Sequence, residues 1–124
     1  MIKQAILVSI LAASPFAGAA LAQQAAVYTW TGYGVNVRGA SKCPRYKMTI
    51  DVTVEGNDVK GIFLQEGRTQ RNFETTLGQD GAFKTVAKLG QGNTIDVVGA
   101  INGGESKIML DGYCKFEGKL TKKQ

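Results

Sequence analysis

The sequence predicts an all-β fold: a small antiparallel up-and-down meander of about eight strands, closed into a barrel and carrying one disulfide. Three observations predict it. After residue 22 the apolar side chains recur with period two and not at helical spacing. Short turns rich in glycine and asparagine punctuate the chain. Two cysteines, Cys43 in the first long loop and Cys114 in the last strand, lie where closure would bring the chain's ends together. A two-sheet β-sandwich is the alternative that the same pattern allows.

Residues 1–22 stand apart from this pattern. Lys3 gives a positive start, residues 5–13 form a short apolar run, and Pro15 and Gly18 break any helix beyond it. Ala20-Leu21-Ala22 then has the small-x-small form that a signal peptidase accepts. The run is shorter than the roughly 20 apolar residues that span a bilayer core. The expectation is a signal peptide over 1–22, a single β-barrel domain over 23–124, and a periplasmic or secreted location in which the two cysteines oxidise. No later stretch approaches spanning length, so no membrane span is expected.

The first strand is expected at 27–37. The clearest follows at 46–54: Tyr46, Met48, Ile50, Val52 and Val54 share one face, while Lys47, Thr49, Asp51 and Thr53 share the other. A strand sends successive side chains to opposite sides, so this segment has a dry face and a wet one. Glu55-Gly56-Asn57-Asp58 turns into a strand at 59–65, and Glu66-Gly67-Arg68 into one at 69–77. Gly78-Gln79-Asp80-Gly81 precedes 82–89, and Gly90-Gln91-Gly92-Asn93 precedes 94–101. Asn102-Gly103-Gly104-Glu105 leads to 106–110, and Asp111-Gly112 to 113–120. Joins this short make neighbours antiparallel. Closure removes the two bare edges an open meander would expose, and glycines inside strands, at Gly32, Gly34, Gly61, Gly99 and Gly118, permit the tight coiling of a small barrel.

The chain contains no histidine, which removes the usual general base near neutral pH and the commonest metal ligand. If both cysteines are oxidised, no thiolate remains. There is no phosphate-binding GxxxxGK[ST] loop, and the ten acidic residues are spread singly. The expectation is a protein that is not an enzyme, with no cofactor, no metal and no nucleic-acid partner, and a monomer.

The full-length charge is +5, and Lys3 is the only charge in the leader, so the remainder carries +4. That excess favours anionic partners. Arg38, Lys42, Arg45 and Lys47 surround Cys43, and Lys115 follows Cys114. A bond between the cysteines would gather them at one end, giving a candidate ligand-binding patch of Arg38, Lys42, Arg45, Lys47 and Lys115. A polar hairpin tip at residues 65–72 supplies a second candidate, a partner-binding surface of Glu66, Arg68 and Arg71. Trp30, Phe63, Phe73 and Phe83 are expected in the core. Tyr28, Trp30, Tyr33, Tyr46, Tyr113 and Phe116 are brought near one another by closure, to form either a plug or the wall of a cup.

With Trp30-Thr31-Gly32 near the first strand, then the meander and the end-joining cysteines, the chain resembles small calycin-type barrels. In plan it is also similar to the small periplasmic barrels that inhibit proteases or lysozyme in Gram-negative bacteria. The resemblance implies the architecture and carries over no functional residues, because fold does not fix function. The leading functional expectation is a non-enzymatic exported barrel that binds an anionic envelope component or small ligand through the basic patch. The alternatives are an inhibitor or partner of an exported hydrolase, and a structural or stress-related envelope protein.

Overall fold

The protein is described by a computed structural model covering residues 25–123; the expected leader, 1–22, lies outside the described residues. Nine antiparallel strands follow in order: β1 (Ala26–Tyr33), β2 (Val35–Asn36), β3 (Lys47–Glu55), β4 (Asp58–Gln65), β5 (Arg71–Thr76), β6 (Ala82–Gly90), β7 (Asn93–Ala100), β8 (Ser106–Asp111) and β9 (Cys114–Lys122). The single helical element described is a 3-10 turn at Cys43–Arg45. No helix among the described residues is long and apolar enough to cross a membrane.

The strands pair in the order β5-β4-β3-β1-β9-β8-β7-β6, with β2 also on β9. This is the expected meander, nearly closed into an eight-stranded barrel. The ninth strand arises because the expected strand at 27–37 is interrupted at Gly34. Its two pieces hold one register against β9: Tyr28 opposes Lys122 and Thr29 opposes Thr121, then Val35 opposes Lys115 and Asn36 opposes Cys114. Between those ladders the Trp30 indole lies over the bare backbone of Gly118, where a Cβ would run into it.

Alternation sorts the side chains as the sequence predicts. Met48, Ile50 and Val52 of β3, Val59 and Phe63 of β4, Ile95 and Val97 of β7, Ile108 and Leu110 of β8, and Phe116 and Leu120 of β9 are buried together. Each buried methylene contributes about 0.8 kcal/mol. Phe63, Phe73 and Phe83 are buried as expected, and Trp30 is half-buried against the same core. Phe73 packs tilted against Phe63 with centroids 6.4 Å apart and stacks on Phe83 at 6.2 Å. The interior is therefore filled, as small barrels require. Two of these rings sit directly across from glycines, Phe73 opposite Gly61 and Phe83 opposite Gly99. A Cβ at either glycine would overlap its ring, so the missing side chain is what lets the ring lie inward over the neighbouring strand.

One joint lacks a ladder. β5 and β6 run side by side without strand pairing. Side chains bridge them instead: Arg71 Nη2 donates to the Leu89 carbonyl at 2.7 Å, and Thr75 Oγ1 donates to the Lys84 carbonyl at 3.3 Å. The Phe73–Phe83 stack closes the joint from inside.

Cys43 and Cys114 are bonded, with Cα atoms 5.6 Å apart. The bond ties the long loop between β2 and β3 to the start of β9. Asn36 Oδ1 accepts from the Cys43 amide at 2.9 Å, and the Gly34 amide donates to the Tyr46 carbonyl at 3.1 Å, so the loop is held at both its ends.

Candidate functional site

The disulfide end of the barrel is an open mouth. Strand direction places four connections there: residues 37–46, residues 66–70, the β6–β7 turn and the β8–β9 turn. The other end carries the β3–β4, β5–β6 and β7–β8 turns. Charge divides between the ends. The mouth connections and their flanks hold Arg38, Lys42, Arg45, Lys47, Arg68 and Lys115 against Glu66 and Asp111, while the opposite turns and their flanks hold Glu55, Asp58, Asp80 and Glu105 against Lys107, Lys122 and Lys123. The asymmetry points a positive field out of the mouth.

A cleft of about 570 Å³ opens at this end. Its floor is Met48, Phe63, Ile95 and Phe116, the outermost layer of the packed core. Above the floor stand Tyr46, Leu89 and Tyr113, and around the rim Gln65, Thr69, Gln91 and Asn93. Arg68 and Arg71 complete the wall, and among the described residues no aspartate or glutamate lines it.

Arg71 is the central group. It shares the inward face of β5 with Phe73 and Thr75, lies opposite Phe63 in register, and is half-buried. Its one protein partner among the described residues is the Leu89 carbonyl, which leaves the remainder of its five N–H donors unengaged. Leu89 is itself placed unusually. The β6–β7 ladder pairs Lys88 with Thr94 and then Gly90 with Asn93, so Leu89 is a bulge residue outside the register. A bulge re-aims the backbone of the strand that carries it, and here the freed carbonyl holds the guanidinium at the mouth. The next turn is strained: Gln91 has φ +54°, flanked by Gly90 at +95° and Gly92 at +79°. Left-handed backbone at a non-glycine residue costs of order 1 kcal/mol or more and concentrates at working sites.

The residues expected from the sequence fall in two places. Arg38, Lys42, Arg45, Lys47 and Lys115 are gathered near the disulfide, yet none lines the cleft. Lys47 and Lys115 point from the outer wall, and Arg38 lies 4.0 Å from Asp111, which offsets part of its charge. Glu66 and Arg68 are exposed on the tight turn after β4. Arg71 is not on that tip; strand alternation turns it inward. Of the aromatic group, Tyr46, Tyr113 and Phe116 meet at the mouth, Tyr28 lies at the opposite end, and Tyr33 is exposed on the outer wall.

Sequence reasoning missed Leu89, Gln91 and Asn93, and it placed Gln65 and Thr69 in the polar hairpin tip without giving either a role. Leu89 and Asn93 depend on a bulge with no sequence signature. Arg71 carried a usable signal, since its period-two partners Phe73 and Thr75 predict an inward position. Among the described residues no group of three His, Cys, Asp or Glu side chains converges on a common point.

No family model matches the chain, and no curated protein and no solved structure matches it either.

Proposed function

We propose that this protein is a non-enzymatic exported barrel that binds a small anionic ligand, or an anionic group of an envelope component, in the mouth beside the disulfide. The observation that carries the reading is a cleft whose lining holds two arginines and no carboxylate. A half-buried guanidinium with free N–H donors facing an open cleft presents a charged fork to an anion. Arg71 is held in place by the Leu89 carbonyl before any ligand arrives, so less ordering is needed on binding. The basic outer wall contributes attraction at a distance, which raises the encounter rate more than the affinity.

Calorimetric titration with citrate at low ionic strength tests this. The expected result is saturable binding that Arg71→Gln weakens by about tenfold or more, the scale of a lost charged hydrogen bond. Glutamine still offers an amide N–H toward Leu89. The outer-wall pair Lys47→Gln with Lys115→Gln is expected to change the affinity by no more than about twofold, the scale of a surface charge. Binding that follows the outer-wall pair, or no binding at all, would contradict the reading.

A further inference from the structure

We propose that the ligand of this mouth is an acidic saccharide, a pyranose carrying a carboxylate or a phosphate, and that Tyr113 is its stacking platform; this rests on the basic-mouth reading above. The floor side chains are already covered, with Met48, Phe63 and Phe116 each 3% exposed and Ile95 6%. Hydrophobic binding scales with apolar area newly removed from water, and these four have almost none left to give. The Phe63, Phe73 and Phe83 rings fill the space behind them, so no channel receives an alkyl chain. A long-tailed amphiphile therefore finds no interior to enter, and its tail meets only the wall side chains Tyr46, Leu89 and Tyr113.

The rim of the mouth is polar. Gln65, Gln91 and Asn93 each carry an amide that donates and accepts, and Thr69 adds a hydroxyl. Paired donor and acceptor groups match the adjacent hydroxyls of a sugar ring. Arg71, with most of its fork free, suits a carboxylate or phosphate oxygen pair. Tyr113, on the β8–β9 turn, is 74% exposed at the edge of the same cleft. The face of an aromatic ring is electron-rich, and the C–H face of a pyranose is weakly positive, so the two stack while the hydroxyl edges remain free for the amides. A shallow, amide-rimmed, positively charged cup with an exposed tyrosine therefore fits a charged sugar better than a lipid.

Calorimetry on the protein tests the class, using digalacturonate against neutral galactobiose, glucose 6-phosphate against glucose, and octanoate. In the wild type each charged sugar is expected to bind about tenfold or more tighter than its neutral counterpart, and octanoate more weakly than either. Arg71→Gln should erase the difference within each pair. Tyr113→Ala, at an exposed position that bears little on folding, should weaken the charged sugars about fivefold, and more than it weakens citrate, which has no ring face to stack. The relative strength of the uronate and the phosphate identifies which acidic group is preferred. Equal affinity for charged and neutral sugars, octanoate binding tighter than both, or sugar binding indifferent to Tyr113→Ala would overturn the proposal. Citrate binding without sugar binding sinks the saccharide class alone, whereas loss of both sinks the basic-mouth reading as well.

Discussion

At the scale of single residues, the barrel depends on positions where a side chain is missing. Phe73 and Phe83 turn inward only because Gly61 and Gly99 stand opposite them. Adding a methyl at Gly61 forces the Phe73 ring aside, and overpacking of this kind costs about 1–3 kcal/mol. Gly61→Ala should therefore lower the urea midpoint clearly. Gly103→Ala, where nothing lies within 4 Å of the added carbon, should stay within about 0.5 kcal/mol of wild type. Equal effects at the two sites would mean that the ring-over-glycine contact is not what shapes the wall. Glycines inside strands were legible as coiling points from the sequence alone. Which aromatic covers which glycine was not, because that depends on register between strands. The position of Arg71 stands between these cases. Its period-two relation to Phe73 marks it as inward, but its setting in a polar hairpin tip suggests an exposed contact residue.

At the scale of elements, the joint between β5 and β6 is the weak point of the barrel. Every other neighbouring pair shares a ladder, whereas this one has two side-chain hydrogen bonds and a ring stack. Local opening is governed by such differences in protection. Amide hydrogen exchange should proceed fastest, among strand residues, at the β5 and β6 amides that face the joint, and slowest in β3, which is paired on both sides. Uniform protection across β3, β5 and β6 would contradict an unladdered joint. Strand number and order followed from alternation and turn chemistry, and the boundaries moved by one or two residues, as at Arg71 for the strand expected from residue 69. The joint itself was not legible: a meander pattern specifies sequential neighbours, while closure depends on curvature accumulated over the whole sheet. The bulge at Leu89 was hidden for a related reason, since an extra residue in one strand is defined only against its partner.

At the scale of the whole molecule, the disulfide connects the fold to the site. It closes a loop of 71 residues, for which the chain-entropy model gives about 4 kcal/mol of stabilisation. The double variant Cys43→Ser with Cys114→Ser should lose stability on that scale in a denaturant titration, and should also weaken citrate binding, because Cys114 lines the mouth. Unchanged binding in a folded double variant would separate the site from the clasp. The distribution of charge also belongs to this scale. Basic connections at the open end and acidic turns at the other orient an approaching anion toward the cleft. The bond between Cys43 and Cys114, which ties the loop after β2 to the start of β9, could be anticipated from the sequence. The acid-free lining could not, because it arises from four connections that meet only after closure. The most direct test of the account is a nitrogen-15 chemical-shift titration with citrate. The account predicts shifts concentrated on both sides of the mouth, at Gln65 and Arg71 and at Leu89 and Asn93. Shifts confined to the outer wall around Arg38, Lys47 and Lys115 would contradict it.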